Sequence, residues 1–130
     1  MRKTVQEGDF EGYSNLYVKD AIGVFTARKN KTSMPMTKAL AKWKKGFDDA
    51  KSGKIKADVE IRFYQRVGSE TTAHESGIYN YREYDQSGKI ITNYFGHLEM
   101  LLIKTNNVWK MIMEYQKIDA TEDEWNKLSP

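Results

Sequence analysis

The sequence predicts an α+β fold in which an antiparallel sheet carries helices from the N-terminal part of the chain on one face. Three observations predict it. Apolar residues recur at helical spacing mainly before Gly53, the period changes from 3.6 to 2 after that glycine, and the later strands are joined by turns too short for any but antiparallel neighbours.

The elements follow in order. From Val5 to about Lys19, Phe10, Tyr13, Leu16 and Tyr17 fall on one face of a helix, with Asp9 placed to cap or favour a turn. Asp20 to Phe25 then reads as a short strand, and the polar run Arg28 to Ser33 as a loop. Met36, Ala39, Leu40, Trp43, Phe47 and Ala50 form an apolar stripe, with Lys38, Lys42, Lys45 and Asp49 on the other side of the same helix. Ser33 or Thr37 is expected to cap it, Pro35 stands near its start, and Ser52-Gly53 ends it. Val59, Ile61 and Phe63 alternate with polar residues in the next strand, which turns at Gly68-Ser69. Thr71 to Tyr84, Lys89 to Lys104 and Val108 to Lys117 are the remaining strands, with turns at Asp85–Gly88 and Thr105–Asn107. Thr121-Glu122-Asp123-Glu124 has the pattern of a capping box and starts a short final helix carrying Trp125 and Leu128.

With 130 residues the chain is expected to form one domain, residues 1–130, long enough to bury a substantial core. It contains no cysteine, which excludes disulfides, thiolate catalysis and cysteine-ligated zinc. No apolar run approaches the roughly 18 residues of a membrane span. The residues after Met1-Arg2-Lys3 lack an apolar signal region, so a cytoplasmic location without membrane contact is expected. The net charge is +3, with the basic residues concentrated between Arg28 and Lys56. Lys38, Lys42 and Lys45 lie on a helix face opposite Trp43 and Phe47. No glycine-rich phosphate loop accompanies them and no aromatic stands beside them to stack on a base. A solvated face is therefore expected rather than a nucleic-acid site.

The order and spacing of Gly8-Asp9, Leu16-Tyr17, Asp20-Ala21, Ala73 to Tyr79, Gly96-His97-Leu98 and Val108 to Ile112 with Glu114 resemble the nuclear transport factor 2-like superfamily. Within it, the SnoaL-like and ketosteroid-isomerase-like bacterial domains look most similar. The resemblance covers nearly the whole chain, although each motif is short and apolar. It implies a cone-shaped, cystatin-like fold: a curved antiparallel sheet with the N-terminal helices on its concave face, around a pocket. Two departures matter. Only seven residues precede Gly8, fewer than the first helix of such proteins usually supplies. The general-base aspartate of the ketosteroid isomerases falls on Phe25, their oxyanion-hole tyrosine before residue 1, and their protonated acid on Glu99, so steroid isomerisation is not implied.

If the family register holds, His97, Glu99, Leu101 and Ile103 share the pocket face, because side chains alternate along a strand. A carboxyl group in apolar surroundings resists ionisation, which makes Glu99, with His97 beside it, the candidate for proton transfer. A solvated strand face with Glu99 paired to a lysine or arginine is the competing reading. Tyr17, Trp43, Phe47, Tyr79, Leu101, Ile112, Glu114 and Gln116 are the candidate ligand contacts, although Trp43 and Phe47 also fit a simple core. Trp109, Met111, Met113 and Tyr115 alternate opposite Glu114. They read either as a homodimer interface, as the resemblance implies for the outer sheet face, or as packing within the subunit. His74 and His97 are the only histidines and lack metal-ligand spacing, so neither metal nor cofactor is expected. Three function classes remain open. The first is a small-molecule-binding domain with an aromatic, partly acidic pocket; the others are a proton-transfer enzyme (isomerase, dehydratase or cyclase) and an interaction module with a vestigial pocket.

Overall fold

The computed structural model describes residues 1–130. In chain order its elements are α1 (Arg2–Glu7), α2 (Phe10–Ser14), β1 (Tyr17–Ala27), β2 (Asn30–Pro35), α3 (Met36–Lys51), β3 (Lys56–Gly68), β4 (Thr72–Tyr84), β5 (Ile90–Thr105), β6 (Val108–Lys117) and α4 (Glu122–Asn126). The six strands form one curved sheet in the order β2-β1-β6-β5-β4-β3. All neighbours are antiparallel except β1 and β6.

The helix expected over Val5 to Lys19 is two short helices. Gly8 adopts φ +68° and ends α1, and its Cα lies so close to the backbone of α3 at Phe47 and Lys51 that no side chain fits. Asp9 then caps α2, its Oδ1 accepting from the Gly12 N–H at 2.9 Å. Tyr17 already belongs to β1, which is longer than the Asp20–Phe25 strand expected: Tyr17 pairs with Met111 of β6 at its start, and Thr26 and Ala27 pair with β2 at its end. The expected loop over Arg28 to Ser33 holds a tight turn at Arg28 (φ +58°) and the edge strand β2. Exposed at every residue but Met34, which packs against the core, β2 has no apolar alternation to betray it. Neither Ser33 nor Thr37 caps α3; Pro35 occupies the N-cap position without a side-chain bond. The later strands fall within a few residues of expectation, and α4 carries the expected capping box between Thr121 and Glu124.

Helices α1 to α3 cover the inner face of the sheet. Met36, Ala39, Leu40 and Phe47 of α3 meet Tyr17, Ala21, Leu98, Met100 and Met111 in one apolar cluster. Around the β3 edge, the Arg2 guanidinium grips Asp58 with two bonds of 2.9 Å, and Arg82 holds Asp58 and Glu60 at 2.8 and 3.1 Å. Partial burial opposes ionisation of Asp58, but Arg2, Arg82 and Gln6 hold its carboxyl below the usual range. On the outer face, α4 lays Trp125 against Phe95 and under the Arg62 guanidinium, 4.1 Å from the ring centre. Arg62 Nη1 also donates to the carbonyls of Trp125 and Leu128.

Two bulges set which residues face inward. Tyr64 is an extra residue in β3 between Phe63 and Gln65, and Ile112 is one in β6 between Met111 and Met113. Across Ile112 the pleat is reset, so Met111 and Glu114 both point inward although they lie three apart.

Met36 is 1 % exposed, so Met36→Ala is expected to cost about 2–5 kcal/mol in urea unfolding. A change near zero would contradict the close packing of α3 on the sheet.

Candidate functional site

Between the helices and the inner sheet face lies a pocket of about 430 Å³, within the roughly 300–1,000 Å³ usual for small-molecule sites. One wall is helical: Tyr13 of α2 stands edge-on to Trp43 and 4.9 Å from Phe47, centre to centre, and Phe25 of β1 closes on Trp43 at 5.7 Å. The other wall is sheet: Tyr94 lies 6.0 Å from Tyr79 and 5.5 Å from Tyr81, with Val59, Ile61 and Leu98 beside them. Gly96 makes this wall possible, because a Cβ there would fall 2.5 Å from the Tyr79 ring.

The polar end of the pocket is built around Glu114. Its side chain is buried, Oε1 accepting from the Tyr17 hydroxyl at 2.8 Å and Oε2 from Gln116 Nε2 at 2.7 Å. The Tyr17 and Tyr13 hydroxyls are 3.3 Å apart, and the Tyr79 hydroxyl stands 3.5 Å from Gln116 Oε1, a weak contact. No lysine, arginine or histidine pairs with Glu114. Burial raises its pKa above the ordinary carboxyl value, the bonds from Tyr17 and Gln116 offsetting part of that. Burial, with Glu114 nearby, also holds Tyr13, Tyr17 and Tyr79 firmly in the hydroxyl form, so each remains a donor. At the mouth, Glu83 accepts from the Tyr81 hydroxyl at 2.6 Å and from Thr92 at 3.1 Å, and Lys42 projects from α3. No group of three or more His, Asp or Glu side chains is placed to hold a metal ion, and no helix is long and apolar enough to cross a membrane.

The expected site residues divide between the two faces. Trp43, Phe47, Tyr79, Glu114 and Gln116 line the pocket, and Tyr17 reaches it through Glu114. Glu99 and His97 do not. They sit on the outer face, because the apolar residues of β5 that point inward are Leu98, Met100 and Leu102. Glu99 is bound to His74 Nε2 at 2.9 Å, and His97 lies between Asp119 (2.6 Å) and Glu124 (3.3 Å). Leu101 is also on the outer face, and Ile112 is the bulge residue. The stripe Trp109, Met111, Met113 and Tyr115 is split by that bulge: Met111 is in the core, while Met113 and Tyr115 face outward opposite Leu101 and Glu99. Sequence reasoning missed Tyr13, Phe25, Lys42, Tyr81, Glu83 and Tyr94 as pocket residues. The alternation Tyr79, Tyr81, Glu83 carried the signal for three groups on that wall.

No family model matches the chain, and no curated protein matches it in sequence. Solved structures do match in fold. An NTF-2-like protein of unknown function from Shewanella oneidensis superposes with a TM-score of 0.65 at 15% identity, covering 88% of each chain. An NTF2-like protein with a cystatin-like fold from Novosphingobium aromaticivorans gives 0.64 at 14% identity, covering 99% of this chain and 82% of the other. A ketosteroid isomerase-like protein from Erwinia carotovora gives 0.60 at 15% identity, over 92% and 88%. The chain therefore has the nuclear transport factor 2-like fold.

Because burial raises the Glu114 pKa, the folded chain keeps a proton over a pH range in which the unfolded chain has lost it. Its contribution to stability is complete below the ordinary carboxyl range and is lost as pH rises toward the folded value. Glu114→Gln removes that loss. In denaturant unfolding at about pH 4 and about pH 8, the stability difference should move in favour of the variant as pH rises; a pH-independent difference would refute a buried, proton-retaining Glu114.

Proposed function

We propose that this protein binds a small, mostly apolar molecule in the pocket between α2, α3 and the inner sheet face. The observation that carries the reading is the division of the cavity into two aromatic walls and one polar end, where Glu114, Gln116 and the Tyr79 hydroxyl converge. A flat ring system fits between such walls, and a single polar group on it would meet the convergent end.

Gly46 supplies the test. It lines the pocket from α3, and a Cβ added there meets nothing within 4 Å. Gly46→Leu fills the cavity from a helix position where leaving glycine gains up to about 1 kcal/mol in helix propensity. Native mass spectrometry and the fluorescence of the protein should reveal a retained or added small molecule in the parent. The variant should lose it while unfolding at equal or higher denaturant. Equal ligand occupancy in both proteins would place the ligand elsewhere and refute this reading.

A proton-transfer enzyme is the second reading, favoured by the chain of hydroxyls Tyr13–Tyr17 leading to the Glu114 carboxyl. Glu114, not Glu99 or His97, would be the acid or base. Turnover that survives Glu114→Gln at the parental rate would dismiss it.

For assembly we propose a homodimer through the outer-face residues Leu101, Met113 and Tyr115, which α4 leaves uncovered. Sedimentation of the parent should give a dimer that Met113→Glu converts to a monomer. A monomeric parent would eliminate the interface.

A further inference from the structure

We propose that the ligand of this pocket is an organic cation, an ammonium group carried on an apolar ring or chain, with Glu114 as its counter-ion. The inference rests on the binding role proposed above and adds the charge of the guest.

The pocket has an unusual charge inventory. Its two acidic side chains are Glu114 at the inner end and Glu83 at the mouth; its one basic side chain, Lys42, is exposed on α3, and Met1, with its α-amino group, also lines the cavity without pairing with Glu114. Glu114 is 1 % exposed yet has no cationic partner. Its bonds come from a hydroxyl and an amide, neither of which supplies charge. A carboxylate so buried is costly unless paired, so without a guest burial favours the protonated form. An ammonium ion entering the pocket brings the missing charge: the Glu114 proton leaves to solvent and an ion pair forms in its place. An anionic guest would face both Glu114 and Glu83, and a neutral one would leave the acid as it is.

The walls match the same guest. Aromatic faces attract cations, tryptophan most strongly, and rings surrounding a site act together. Trp43 and Phe47 on the helical side face Tyr79, Tyr81 and Tyr94 on the sheet side. Burial sets the charge state of Glu114, offset by the bonds from Tyr17 of β1 and Gln116 of β6; the other titratable side chains lining the pocket are Tyr13 of α2, Tyr79, Tyr81 and Glu83 of β4, Tyr94 of β5 and Lys42 of α3. The tyrosines stay neutral, so none of them competes with the guest for the charge of Glu114.

The test uses an isosteric pair, benzyltrimethylammonium and neopentylbenzene, which differ by a positive nitrogen in place of a carbon. Binding to the intact protein is followed by tryptophan fluorescence. Calorimetry with the cation, in two buffers of different ionisation enthalpy, counts protons released. The cation should bind at least about tenfold more tightly, a difference of about 1.4 kcal/mol, and release a proton. Glu114→Gln should abolish the release and shrink the preference below about threefold, while still binding the neutral probe. If the parent binds the neutral isostere as well as the cation, or the cation releases no proton, the cation assignment falls and the apolar pocket stands. If neither probe binds the parent and native mass spectrometry of the parent finds no retained molecule, the pocket reading falls with it.

Discussion

Glu114 sets the constraint that the rest of the inner face has to meet. A carboxyl group removed from water and given no counter-charge must be supplied with hydrogen bonds from fixed donors, and must be kept from ionising at the expense of the fold. Tyr17 reaches it because β1 runs beside β6, the one parallel pairing in the sheet, and Gln116 reaches it from two residues along the same strand. Tyr13 extends the chain to α2. The same group therefore ties together the start of β1, the end of β6 and the helical wall of the pocket.

The outer face solves a different problem. Its acids and histidines are paired to one another and remain partly solvated, as His74 with Glu99 and His97 with Asp119 and Glu124 illustrate. Such pairs contribute little to stability at a wet surface. They also draw the residues after β6 across the sheet, where Trp125 finds Phe95 and Arg62. Two sets of titratable groups thus sit on opposite sides of one sheet, one dry and one wet.

Much of the fold was legible because it depends on periodicity: α3, the three long later strands and the capping box of α4 all lie close to where spacing places them. What escaped depends on interactions that spacing does not carry. The break at Gly8 follows from close approach to α3, and β2 from pairing at a solvated edge. The site was legible in composition but not in facing. Leu98, Met100 and Leu102 form the more apolar side of β5, and simple alternation assigns that side to the core; the family register favoured the side bearing His97 and Glu99. In β6 alternation itself misleads. The bulge at Ile112 gives the inward residues a spacing of three and then two through Met111, Glu114 and Gln116, which no regular strand has, while Trp109 remains exposed.

Gly46 separates two quantities that are usually coupled in a small protein. The interior of the helix layer is filled by Met36, Ala39, Leu40 and Phe47, and none of them needs to change for the cavity to grow or shrink. A side chain at position 46 would alter the volume of the cavity while leaving the core contacts intact. The volume of the cavity is thus adjustable at a position where the scaffold has nothing at stake.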